Sequence, residues 1–267
     1  MDKWVKASIK SKFESSPCKT KAEWNSLGLI PLNYDTVESH HNILILGAGP
    51  SLNINQPEVI KYIDRKHPLI IGTHYNFFVP SDFCAIIGKS IFGSVSQLLT
   101  CKNFIITPWV YVYNKSVIDK RIKTKQAKYY VNRTTCKDSA SFYWNNKIEC
   151  QDGSFGHWLG NCGFMAMLAA HFFKPKEILI AGFDGPRNDG ITVDHFNGKV
   201  RTQKGAHRNK EASDGKGRFL FKIIEFLNKQ GIKVIAFDND GLWKMKELIG
   251  KQYEELDLER IKQCPGQ

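Results

Sequence analysis

The chain has 267 residues, 42% of them hydrophobic, which is enough for one large α/β domain, or two small ones, around a sizeable core. No apolar run approaches the roughly 20 residues of a membrane span, and the opening MDKWVKASIKSKFESS lacks the apolar centre of a signal peptide, so a cytoplasmic location is expected. The formal net charge of +12 favours polyanionic partners, namely phosphorylated small molecules or an anionic membrane face; no RNA-recognition signature or zinc-finger spacing accompanies it, so no specific nucleic acid is expected.

Residues 1–41 read as a basic N-terminal extension. Trp4, Val5, Ile9 and Phe13 stand near helical spacing with lysines between them, a pattern that can lie on the core or peripherally on an anionic inner membrane face. Alternation of strands and helices then begins. The apolar run NILILG opens it, and HPLIIGTHYNFF (67–78), FCAIIGKS (83–90) and NFIITPW (103–109) follow as buried strands ending in small or polar residues. Residues 111–150 are basic and aromatic with weak periodicity and are expected to form a lid or small insert.

GNCGFMAMLAAHFF (160–173) predicts a helix with Asn161 as its N-cap and alanines for close packing on a sheet. KEILIAGFDG (176–185) is a strand ending in an acid, RFLFKIIEFLNKQG (218–231) an amphipathic helix closed by Gly231, and IKVIAFDND (232–240) the last strand. Residues 251–267 read as a C-terminal tail. The alternation argues an α/β, Rossmann-like fold: a mainly parallel sheet with helices on both faces, one nucleotide-binding domain over 42–250, and a small lid insertion. Ligands of such sheets sit beyond the carboxyl ends of the strands. That rule gathers Gly47–Ser51, Thr73–Asn76, Gly88–Ser90, Asn161–Gly163, Asp184 and Asp238 at one edge.

Seven cysteines, an odd number with no CxxC pair, read as reduced thiols, and no zinc site is expected. The turn Gly47-Ala48-Gly49-Pro50-Ser51 permits close backbone approach to a phosphate or ribose, and equally serves as a plain tight turn. Pro50 lacks an N–H and suits only a first helical turn. Asn161, Cys162 and Gly163 open a helix where amides and a side-chain amide can hold a base or sugar; Asn161 as a mere cap is the alternative. Asp184 ends a strand ahead of a loop rich in Gly, Asp and Asn that also carries His195. His207 stands among Lys204, Arg208 and Lys210, cations that would lower its pKa and keep it neutral, as a general base requires; a solvated loop histidine is the bland alternative. His171, inside the apolar helix, reads as a packing residue.

Taken together, ILGAGPSL, IIGTHYNFF, GNCGFMAMLAAHFFKPKEILIAGFDG and FLNKQGIKVIAFDNDGLW resemble, in order, the superfamily joining bacterial lipooligosaccharide sialyltransferases (glycosyltransferase family 42) with MptE-like 6-hydroxymethylpterin diphosphokinase domains, over about residues 42–250. The resemblance implies a CMP-sugar-dependent transferase acting on a cell-surface glycan or lipid-linked acceptor, with no metal required. It would place donor contacts on Gly47, Gly49, Ser51 and Asn76, cytidine and sugar contacts on Asn161, Cys162 and Gly163, the strand-end acid on Asp184 and the acceptor's base on His207, with His195 as the next candidate. Family members carry tyrosines just after the strand-end acid, whereas DGPRNDGITVDHF has none. That departure keeps two alternatives: a magnesium- and ATP-dependent diphosphokinase, in which an acid-rich loop would hold the metal, and a non-catalytic nucleotide- or glycan-binding module.

Overall fold

The computed structural model describes residues 21–73, 78–86, 101–132, 162–183, 192–194, 200–202, 223–224, 226–236 and 262–263. Its strands are β1 (Ile30–Pro31), β2 (Asn42–Leu46), β3 (Leu69–Thr73), β4 (Phe83–Ile86), β5 (Asn103–Ile106), β6 (Lys128–Val131), β7 (Glu177–Ala181), β8 (Thr192–Asp194), β9 (Val200–Thr202), β10 (Lys233–Ala236) and β11 (Lys262–Gln263). Nine of them form one sheet in the order β1-β6-β5-β4-β3-β2-β7-β10-β11, and every neighbouring pair is parallel. The expected α/β, Rossmann-like parallel sheet is therefore the fold.

The central strands are apolar on both sides because helices cover both faces. Helix α1 spans Lys21–Ser26, α2 Ser51–Ile54, α3 Gln56–Lys66, α4 Pro108–Tyr113, α5 Lys115–Lys123 and α6 Cys162–Ala170. On one face Ile43, Ile45, Ile71, Ala85 and Ile105 meet α6 and the helical residues Ile223, Ile224 and Leu227. All nine residues of α6 are buried, and it lies across β2, β3 and β4, an approach its alanines permit. On the other face Leu44, Leu46 and Ile70 meet Leu52, Val59 and Tyr62 of α2 and α3, while Phe104, Ile106, Tyr129 and Val131 meet Trp24, Val110 and Ile118 of α1, α4 and α5. Left-handed residues close several of these turns: α3 stops on His67 at φ 44°, the 3₁₀ turn His171–Phe173 on Lys174 at φ 52°, and the helical residues 226–229 on Gly231 at φ 77°.

Four sequence expectations change here. Residues 111–131 are not part of a lid: α5 is a crossover helix and β6 is a strand of the main sheet, with Tyr129 and Tyr130 buried on opposite faces. A weak apolar period in Lys128-Tyr129-Tyr130-Val131 hid a strand buried on both sides. The rest of the expected lid, 133–150, lies outside the described residues. The N-terminal extension is not peripheral beyond residue 20, because Trp24, Leu29 and Leu32 are buried and β1 pairs with β6. Near the other terminus, β11 pairs with β10 (Ile235 with Lys262) instead of belonging to a free tail. Finally β8 and β9 form an antiparallel pair, Thr192 with Thr202 and Asp194 with Val200, where a plain loop was expected. The signal was present: β-branched residues flank Asn197-Gly198, a hairpin-turn dipeptide.

Candidate nucleotide site at the switch point

Strand order reverses at β2. From β2 the chain builds outward through β3, β4, β5 and β6 in one direction, then returns to place β7 and β10 on the other side of β2. The carboxyl ends of β2 and β7 thus flank a topological switch point, the place where open α/β sheets bind ligands.

A glycine follows each strand there, Gly47 after β2 and Gly182 after β7, and the two face each other backbone to backbone. A Cβ on Gly47 would stand 2.4 Å from the Gly182 carbonyl oxygen, and one on Gly182 would stand 2.6 Å from the Gly47 carbonyl oxygen. Hydrogen bonds close the same junction: Gly47 N–H donates to Ala181 O at 2.7 Å and Gly49 N–H donates to Gly182 O at 2.9 Å. Gly182 lies at φ 73°, in the left-handed region, and its Cβ position also approaches Leu52 at 3.3 Å. Next to β2, the buried Thr73 hydroxyl donates to Leu46 O at 2.9 Å and ties the end of β3 to the same edge.

This geometry changes how the glycine turn works. The Gly47 and Gly49 amides are consumed inside the protein, so neither is the donor expected to cradle a phosphate. What Gly47 and Gly182 supply is closeness: the β2 and β7 ends approach at a distance no Cβ tolerates there, and the chain turns at once into α2. Pro50 adopts helical angles (φ −66°, ψ −24°) directly before Ser51, as a residue without an N–H should at a helix start. Ser51 and Leu52 are buried, and Leu52 anchors the turn on the sheet.

The first turn of α6 belongs to the same edge. Its far end is the 3₁₀ turn His171–Phe173, whose Phe173 carbonyl accepts from His40 N–H at 2.8 Å, just before β2 begins. That end therefore lies at the amino edge of the sheet, and α6, running antiparallel to the strands, opens at the carboxyl edge with buried Cys162 and Gly163. Among the expected site residues, then, Gly47, Gly49, Ser51, Cys162 and Gly163 are placed at the carboxyl edge. Asn76, Asn161, Asp184, His195 and His207 lie outside the described residues, although Thr73 and Phe183 carry the chain to within three residues of Asn76 and one of Asp184. Sequence reading missed Gly182. Its signal was the symmetry of LGAG and AGFDG, two apolar strands each ending on a glycine.

His171 is a packing residue, as expected. Its Nδ1 bonds Leu168 O at 3.0 Å, its Nε2 faces the Tyr34 hydroxyl, and burial lowers its pKa to about 4. It is neutral at physiological pH, with Nδ1–H donating to Leu168 O and Nε2 accepting from Tyr34. It sits at the amino edge, away from the crevice. Cys84, Cys101 and Cys162 are buried thiols, and among the described residues no three His, Cys, Asp or Glu residues are grouped to hold a metal ion. No described helix is long and apolar enough to cross a membrane.

No protein-family model matches the chain, and no curated protein matches it. Among solved structures, it is similar to the sialyltransferase CstII from Campylobacter jejuni, in complex with a substrate analogue, cytidine-5'-monophosphate. That similarity is 14% in sequence identity, covers 86% of this chain and 87% of that one, and has a TM-score of 0.41. The fold and the crevice described above rest on this chain's own topology and hydrogen bonds.

Proposed function

We propose that this chain is a nucleotide-dependent glycosyltransferase whose donor is a CMP-sugar and whose acceptor is a cell-surface glycan or a lipid-linked molecule. The observation that carries the reading is the switch-point crevice between β2 and β7, where Gly47 and Gly182 bring two strand ends into backbone contact and α6 opens at the same edge. The motif resemblance read in the sequence supplies the donor class.

In the proposed reaction the acceptor hydroxyl loses its proton to His207, and its oxygen attacks the anomeric carbon of the sugar. The bond from that carbon to the CMP phosphate oxygen breaks, and CMP leaves with the electron pair. Lys204, Arg208 and Lys210, close to His207 in sequence, are suited to stabilise the departing phosphate. Asp184, next in the chain to Phe183, orders the ligand or the loop that covers it. No metal takes part in this scheme.

A thermal-shift panel of CMP, CDP, UDP, GDP and ATP, each with and without magnesium, tests it. A ligand present at about 100 times its dissociation constant adds roughly 2.7 kcal/mol of stability. Stabilisation by CMP without metal is expected. A shift confined to ATP with magnesium would replace the transferase with the diphosphokinase, and CMP binding without turnover of any CMP-sugar would leave a binding module.

A further inference from the structure

The flank built by α4, α5 and the start of β6 combines charge with exposed apolar surface. Between residues 101 and 132 stand six lysines and one arginine against a single acid, Asp119. Asp119 is already engaged by Lys115 and by the Tyr111 hydroxyl, and Arg121 is buried against Phe104. Lys102, Lys120, Lys123, Lys125 and Lys128 remain, all exposed.

Exposed apolar side chains stand on the two helices of the same flank. Val112 and Val117 are 42% and 40% exposed, and Tyr113 is 47% exposed. Along α5 and its C-cap Thr124, the exposed Val117, Lys120 and Thr124 follow one another at i, i+3 and i+7, while Ile118 and Arg121 are buried. The exposed surface of this flank thus mixes valines and a tyrosine with lysines, Val117 and Lys120 standing one helical turn apart.

We propose that this flank docks on a membrane surface rich in anionic lipid. The lysines would meet headgroup phosphates while Val112, Val117 and the Tyr113 ring enter the boundary between headgroups and acyl chains. Lysines suit that task because their long stems lie along apolar surface with the charge kept in water. Nucleic acid, the other polyanion, gives the exposed valines no role, and the planar fork that best grips its phosphates belongs here to a buried arginine. The flank runs from the carboxyl edge, where α4 starts, to the amino edge, where Lys102 precedes β5 and Lys128 opens β6. α4 starts at the carboxyl edge, capped by Thr107 after β5, and β5 is three strand spacings, roughly 14 Å, from β2. The inference does not depend on the transferase reading, since its readout contains no nucleotide and no turnover.

Sedimentation of the full chain with phosphatidylcholine vesicles, with and without 30 mol% phosphatidylserine, tests the proposal at low and high salt. Binding to the anionic vesicles alone, weakened at high salt, is expected. The triple variant Lys120→Glu, Lys123→Glu, Lys128→Glu should bind at least ten-fold more weakly. The pair Val112→Ser, Val117→Ser should also weaken vesicle binding, yet leave retention on a heparin column unchanged. All substituted side chains are exposed, so both variants should fold; if the triple variant does not, the valine pair decides alone. Absence of vesicle binding, full binding by the valine pair, or equal loss of vesicle and heparin binding in that pair would each overturn the proposal. Full binding by a folded triple variant would do so too, and would move the contact to another surface, such as the basic residues before Lys21.

Discussion

Gly47 and Gly182 touch through their backbones, each occupying the space where the other's Cβ would be, at the point where the sheet changes direction. Three glycines separate the causes of this requirement. Gly231 has a positive φ of 77° and nothing within 4 Å of its Cβ position; Gly47 has the close approach; Gly182 has both. Gly231→Ala should cost about 1 kcal/mol, the strain of a left-handed alanine. Gly182→Ala should cost that and a backbone clash, at least about 2 kcal/mol in all. Gly47→Ala should be destabilising without any φ strain. Urea denaturation of the three variants checks the ranking, and equal losses at Gly182 and Gly231 would show that the two strand ends can move apart.

Gly49 separates binding from folding. Its amide bonds Gly182 O, and the positive φ values among the described glycines are at Gly28, Gly182 and Gly231, so a valine at Gly49 meets no left-handed strain. Gly49→Val should stay folded and lose CMP stabilisation, because it adds bulk to the turn between β2 and α2 at the carboxyl edge. Calorimetric titration with CMP, beside a circular dichroism melt, decides it. A folded variant with unchanged affinity would make this turn purely structural.

The candidate base and the strand-end acid should fail differently. General-base catalysis typically supplies about 10²- to 10⁴-fold in rate. His207→Ala should reduce turnover by about that factor with donor affinity nearly intact. Asp184→Ala should weaken donor binding, stability or both. Initial rates and donor affinity of each variant are the measurements. Normal turnover by His207→Ala would pass the role to His195, and indifference at both histidines would remove the mechanism.

Burial of His171 sets a pH dependence. Its pKa is lowered to about 4 in the folded chain from an ordinary 6.5, so the unfolded chain takes up a proton first as pH falls. The contribution is complete above about pH 6.5 and is lost as pH falls towards about 4. Two and a half units correspond to about 3 kcal/mol. Unfolding free energies across pH 4–7 should show a steeper acid decline in the native chain than in His171→Phe, which cannot titrate. Parallel curves would mean the imidazole is hydrated in solution.

The sequence alone determined the order of the central strands' elements and their parallel sheet, because the runs NILILG, LIIG, FCAII and EILIA are apolar throughout, as strands buried on both faces must be. It also determined where helices begin and end at Pro50 and Gly231, since a missing N–H and a missing Cβ act locally. Tertiary structure decided the rest. Tyr129-Tyr130-Val131 is a short run of strand-forming residues without alternation, and nothing local in Ile30-Pro31 or Lys262-Gln263 marks a strand; each pairs because a neighbouring strand offers a parallel edge. The same holds for the crevice. Gly47 and Gly182 are 135 residues apart in sequence, and each reads locally as an ordinary turn glycine. Only the pairing of β2 with β7 shows that their backbones need the same space, and that the Gly47 and Gly49 amides are spent holding the strand ends together instead of facing a ligand.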